Sequence, residues 1–327
     1  MIRRWWPWVR ILAGAGILAV LMWRLGTAAF LDGLRVIDVP TLAVALALGV
    51  LTTVSSAWRW CLVARGMGLG LPLGTAVADY YRALFLNAAL PGGVLGDVHR
   101  AVRHGQDVGD VGRGVRAVVM ERFAGQAALF GLGAVVLLTV PSPVTSGLRP
   151  AAAPWTALVV AVVVAAITAG LGWLAVRRPA SWWGRTCRVT VRDVRAGLLA
   201  RGVWPGVTLS SVVALAGHLA TFLLAARVAG VVAPVRQLVP LLLLALLAMA
   251  VPVNIGGWGP REGAAAWAFA AAGLGAAQGL TTSVVYGVFA LVASTPGVVV
   301  LVARWVARRR AGAPDDAEDR AAVPARV

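Results

Sequence analysis

The chain has 327 residues, 60% of them hydrophobic and 13% charged, with a mean hydropathy of +0.83. Several apolar stretches exceed the roughly 18 residues that argue for a bilayer-spanning helix, and the alternating ten-residue strands of a membrane β-barrel are absent. The net charge of +17 is carried by 30 arginines and no lysine, and reads as membrane topology and contact with anionic lipid headgroups, with no nucleic acid partner.

Taken from the start, "MIRRWWPWVRILAGAGILAVLMW" pairs a basic segment with an apolar run that ends in Trp23 and Arg24. No small-residue cleavage site follows, so the run reads as an uncleaved first helix. Full spans are predicted at about 11–31, 41–64, 117–140, 154–176, 206–227 and 280–303. Two further apolar stretches, about 75–98 and 237–276, are interrupted by Pro/Gly clusters. As re-entrant hairpins they leave six crossings, and with the breaks read as short full spans eight remain possible; either way both termini lie on one side. The expectation is an all-α polytopic membrane protein, with one membrane domain over 1–310 and a disordered cytoplasmic tail over 311–327. Loops assigned to the inside hold 21 arginines and those outside hold four, which places both termini in the cytoplasm. The basic segment 177–202, with Trp182 and Trp183, reads as an interfacial stretch on the cytoplasmic leaflet.

The two broken stretches correspond. "ADYYRALFLNAALPGGVLGDVHRAV" (78–102) sets Pro91, Gly96 and Arg100 against Pro252, Gly257 and Arg261 of "PVNIGGWGPREG" (252–263), all at an offset of 161. Upstream, Arg65, Gly68 and Pro72 match Arg227, Gly230 and Pro234 at an offset of 162. This predicts repeats over about 41–140 and 206–303, inverted because helix 41–64 runs outside-to-inside and 206–227 the reverse. Broken helices meeting from opposite faces are a recurrent transporter design, since unwound backbone survives in a bilayer only where protein or a cavity surrounds it.

Polar residues collect at the same places. The two asparagines, Asn87 and Asn254, both sit at the breaks. Asp79–Arg82 and Asp97–Arg100 have the three-residue spacing that permits pairing on a helix, while Glu121–Arg122 and Arg261–Glu262 are adjacent doublets. A mid-bilayer charge costs about 2.5–3.5 kcal/mol on insertion scales, so such groups face a cavity or pair. The candidate headgroup cavity is Arg82, Asn87, Asp97, Arg100, Glu121, Arg122, Asn254, Arg261 and Glu262, with guanidinium groups suited to phosphate oxygens. The candidate helix-breaking and close-approach positions are Pro91, Gly92, Gly93, Gly96, Pro252, Gly256, Gly257 and Gly259. The alternative is that these pairs only neutralise one another and lock the halves together. For Arg59 and His218, helix–helix hydrogen bonding or snorkelling is the plainer reading. Cys61 and Cys187 define no disulfide framework, and His99, His104 and His218 have no metal-ligand spacing. No cofactor, metal or nucleophile motif is present, so no catalytic residue is assigned.

"LPGGVLGDVHR" (90–100), "ERFAG" (121–125) and "VPVNIGGWGPREG" (251–263) together resemble the integral-membrane domain of bacterial lysylphosphatidylglycerol synthases and the wider flippase-like family. The resemblance covers about residues 10 to 310. It implies a bacterial plasma-membrane protein that moves a phospholipid or polyprenyl-linked lipid between leaflets. The family's characteristic positions fall on Pro91, Gly93, Gly96, Asp97, Arg100, Glu121, Arg122, Gly257, Gly259, Arg261 and Glu262. No aminoacyltransferase domain follows Val306, so synthase activity is not expected. The rival expectation is a non-transporting membrane subunit that partners a lipid-modifying enzyme or glycosyltransferase.

Overall fold

The computed structural model describes residues 37–89, 94–140, 182–250 and 258–311, together with Ala19, Val20, Trp23 and Arg35. The predicted spans at 11–31 and 154–176 lie outside these residues. No described residue lies in a strand.

Helix α1 (Val39–Gly66) starts on Asp38, whose carboxylate accepts from the Thr41 amide at 2.9 Å while the Thr41 hydroxyl accepts from the Asp38 amide at 3.3 Å. That reciprocal cap satisfies amides a helix start leaves unpaired. Helix α1 ends through Gly68, at φ 74°, where the Leu69 amide returns to the Ala64 carbonyl at 2.8 Å. Helices α2 (Leu73–Ala89), α3 (Leu95–Asp107) and α4 (Val111–Thr139) follow. Helix α5 (Trp182–Val194) runs into a π-turn (Arg195–Leu199) that packs on α1, and Arg116 of α4 ties α5 down through Asp193 at 2.6 Å.

The second series repeats this order. Helix α6 (Trp204–Val228) ends through Gly230, at φ 80°, with the Val231 amide on the Ala226 carbonyl at 3.0 Å. These three residues stand 162 positions after Gly68, Leu69 and Ala64. Only glycine adopts such a φ without strain, so both helices stop in the same way. Pro72 and Pro234 then offer their carbonyls to Ala76 and Leu238 as α2 and α7 (Val235–Met249) begin. Helices α8 (Pro260–Ala271), α9 (Ala276–Ser294) and α10 (Pro296–Ala311) complete the described chain. Helices α9 and α10 meet at the single turn residue Thr295, where Pro296 has no amide hydrogen to continue the ladder, and together they cover the span expected at 280–303.

Helices α1 and α6 form the most extensive helix pair, with Gly217 of α6 admitting Thr52 of α1. Around that pair, α2 packs on α1, α3, α9 and α10, while α7 packs on α6, α8 and α4. Helix α3 lies on α4 as α8 lies on α9. Exchanging the two series carries each of these contacts, except that of α2 with α10, onto another observed contact. Among the described residues, four stretches are long and apolar enough to cross a bilayer: Val39–Gly66, Val111–Leu137, Trp204–Val228 and Ala276–Ala307. Helix α7 is equally apolar, but its 15 residues reach only about 22 Å, short of a hydrocarbon core of about 30 Å. The protein is an all-α integral membrane protein.

Candidate functional site

The first broken stretch brings α2, α3 and α4 together over α1. Helix α3 can lie against α2 because Gly96 has no side chain: a Cβ there would stand 2.1 Å from the Ala83 carbonyl oxygen. The Gly96 amide donates to Asn87 Oδ1 at 2.8 Å, and Asn87 Nδ2 donates to Asp97 Oδ2 at 3.0 Å. Asn87 thus holds the end of α2 to the start of α3.

Arg100, one turn after Asp97, is fully buried. Its Nη2 donates to Asp97 Oδ1 and to Glu121 Oε2, each at 3.0 Å. Its guanidinium carbon lies 4.4 Å from the Trp60 ring centroid and 4.3 Å from that of Tyr80. Its Nε and Nη1 have no hydrogen-bond partner among the described residues. Glu121 of α4, also fully buried, accepts from Arg59 Nε at 3.1 Å, Arg59 Nη2 at 2.6 Å and the Tyr80 hydroxyl at 3.3 Å. Arg59 Nη1 reaches across to Ser211 of α6 at 3.3 Å. Arg122, whose side chain is 39% exposed, donates from Nη2 to both Asp97 oxygens at 2.6 and 2.7 Å.

Three guanidinium groups (Arg59, Arg100, Arg122) thus face two carboxylates (Asp97, Glu121), leaving one positive charge uncompensated. Burying ions is tolerated only where partners replace water, and here each carboxylate receives several charged donors. The expected doublet Glu121–Arg122 is not a pair: neighbouring residues on a helix point about 100° apart, so Glu121 faces Arg59 and Arg100 while Arg122 faces Asp97. Arg100 is thus a core residue.

Arg82 belongs to a separate group. Its Nη2 lies 3.2 Å from Asp79 Oδ1, as the spacing predicts, and 3.0 Å from His99 Nδ1. Arg304 of α10 pairs with the same Asp79 oxygen. The expected doublet Arg261–Glu262 does pair, at 2.5 Å, on α8. Glu262 Oε2 also accepts the Gly259 amide at 2.7 Å, capping α8, and Ser283 of α9 accepts from Arg261 Nε at 3.0 Å while donating to Glu262 Oε1 at 3.1 Å. The Arg261 guanidinium lies 5.2 Å from the Trp258 ring and 5.0 Å from the Tyr286 ring. Pro91, Gly92, Gly93, Pro252, Asn254, Gly256 and Gly257 lie outside the described residues.

The two clusters correspond at a few positions. With Arg100 on Arg261, the offset of 162 carries Glu121 to Ser283 and Gly125 to Gly287, while 161 carries Ala101 to Glu262. Both glycines make room for a guanidinium: a Cβ at Gly125 would lie 2.9 Å from Arg59 Nη2, and one at Gly287 2.6 Å from Arg261 Nη2. The acid has changed helices, from α4 in the first cluster to α8 in the second. Arg59, Trp60, Tyr80 and Ser283 were not singled out by sequence as site residues. Projecting Glu121 and Gly125 through the repeat offset would have pointed to α9.

An all-helical membrane chain with paired buried charges at two broken helices defines the class. Residues 8–297 match the lysylphosphatidylglycerol synthase TM region, and the chain belongs to that family. Neither a curated protein nor a solved structure matches it. The family places the protein among membrane proteins associated with lipid handling.

Proposed function

We propose that the protein moves a lipid bearing a phosphate-containing anionic headgroup between membrane leaflets, and that the first cluster receives the headgroup. The observation that carries this is the uncompensated charge of the Arg59–Arg100–Arg122 group, together with the partial exposure of Arg122. Arg122 offers the accessible donor, while Arg59 and Arg100 supply a fixed positive field from within a low-dielectric interior. Asp97 holds Arg122 until phosphate oxygens compete for the same N–H groups. Arg261 and Glu262, neutral as a pair, hold α8 to α9. In this reading the two series form an inverted repeat in a bacterial plasma membrane, with both termini cytoplasmic.

The test is leaflet exchange of fluorescent phosphatidylglycerol in reconstituted liposomes. Wild-type protein should exchange it faster than protein-free vesicles, and Arg122→Gln should slow exchange at least roughly tenfold, about 1.4 kcal/mol in the barrier. Exchange no faster than in empty liposomes, or unchanged by Arg122→Gln, refutes the proposal.

A further inference from the structure

His218 stands midway along α6, on the stripe that carries Ser211 two turns earlier and Phe222 one turn later. Both neighbours are buried, Ser211 bonded to Arg59 and Phe222 stacked on Tyr286 at a centroid distance of 4.3 Å, yet His218 is exposed. A side chain exposed between two buried neighbours of its own helix face opens into an internal cleft and not onto lipid.

The groups around the imidazole come from every side. His218 Nδ1 lies 3.3 Å from the hydroxyl of Tyr286 on α9, which is itself buried and carries the Arg261 guanidinium of α8 at 5.0 Å from its ring, with Glu262 behind it. Arg59 of α1 reaches the same face of α6 through Ser211, two turns before His218, and Arg122 of α4 stands beside Glu121, which pairs with Arg59 and partly offsets it. Helix α7 carries Arg236 and Gln237 only in its first turn, and the π-turn contributes Arg195 before α6 begins. The imidazole therefore faces an excess of guanidinium charge, and the same charge is the feature that draws an anion to the first cluster.

We infer that His218 is a proton-binding site coupled to the headgroup site, taking up a proton when an anionic phosphodiester binds beside Arg122. This rests on the headgroup reading given above. An anion near Arg122 cancels field that opposes an imidazolium, so each ligand favours the other, reciprocally. The Tyr286 hydroxyl suits both states: it donates to Nδ1 of the neutral ring and accepts from the Nδ1–H of the charged one. One proton enters from water as the anion binds and leaves as the anion leaves. A lipid anion and a proton then travel together, and a pH difference across the membrane drives net lipid movement.

Calorimetric titration of the detergent-solubilised full chain with dihexanoylphosphatidylglycerol, in buffers of different ionisation enthalpy from pH 5 to 8, tests this. Wild type should take up a fraction of a proton per anion bound, and its affinity should rise roughly tenfold as the pH falls, a typical coupling. His218→Gln should bind with no pH dependence and no proton uptake, and Tyr286→Phe should show a reduced uptake. His99 and His104 remain in both variants, so they cannot account for the loss. Binding without proton uptake in wild type, or uptake unchanged in His218→Gln, overturns this inference and leaves the headgroup site standing. No binding of dihexanoylphosphatidylglycerol beyond that of the zwitterionic dihexanoylphosphatidylcholine removes the headgroup site, and the inference with it.

Discussion

Replacing Glu121 with alanine should be among the most damaging single changes in the protein. Its carboxylate accepts from Arg59 at 3.1 and 2.6 Å, from Arg100 at 3.0 Å and from Tyr80 at 3.3 Å, and none of it touches solvent. Removing one partner of a buried ion pair costs about 3–5 kcal/mol, chiefly because the other charge is stranded. Here two guanidinium groups are stranded at once, although Arg100 keeps Asp97. At about 2–4 °C per kcal/mol for a chain of this order of size, the midpoint of thermal unfolding should fall by roughly 6–20 °C. The double variant Arg59→Met with Glu121→Gln should recover part of that loss, because it removes the charge the single variant strands. Thermal unfolding of the purified protein, followed by the loss of the folded peak in size-exclusion chromatography, reads both effects. A Glu121→Ala midpoint within about 3 °C of wild type, roughly 1 kcal/mol, would refute the reasoning, as would a double variant that is less stable than Glu121→Ala.

Gly96→Ala should cost at least about 1–3 kcal/mol and lower the folded yield, since its methyl would meet backbone of α2, whereas Gly74→Ala, facing open space within α2, should be neutral or stabilising by up to about 1 kcal/mol in the same unfolding assay. Arg304→Ala should be nearly silent because Arg82 still neutralises Asp79, but Arg82→Ala added to it strands a buried carboxylate, so the double variant should exceed the sum of the singles by at least about 1 kcal/mol in a thermal cycle. In a background carrying Cys61→Ser and Cys187→Ser, cysteines introduced at Gly70 and Val232, both exposed after equivalent helix ends, should react with an impermeant maleimide from opposite sides of intact vesicles; reaction from the same side rules out inversion.

Much of the architecture was readable before any coordinates. Helix breaks advertise themselves through proline and glycine, and the pairing of Asp79 with Arg82 and of Asp97 with Arg100 follows from helical spacing alone. The parts that were not readable depend on contacts between distant segments. Arg59 has no acid within its own helix, so in sequence it resembles any snorkelling arginine, yet its partner stands 62 residues away. Arg304 meets Asp79 across 225 residues. Adjacency misled at Glu121 and Arg122, where consecutive side chains diverge, but not at Arg261 and Glu262, where the first turn of α8 lets both reach Ser283. For Tyr80 and Trp60 nothing local in the sequence indicates that a guanidinium lies 4.3 and 4.4 Å away.

The migration of the acid from one helix to its neighbour has a mechanical consequence. In the first series Arg100 and Glu121 sit on different helices, so peeling α3 from α4 must part a buried ion pair. In the second, Arg261 and Glu262 ride together on α8, and peeling α8 from α9 gives up the Ser283 hydroxyl contacts, the approach to the Tyr286 ring and the close packing at Gly279, but parts no ion pair among the described residues. A hydrogen bond to a charged group contributes about 1.5–3 kcal/mol, against about 3–5 kcal/mol for a severed buried pair. The first junction is the stiffer of the two, so the two series respond to the same force by different amounts.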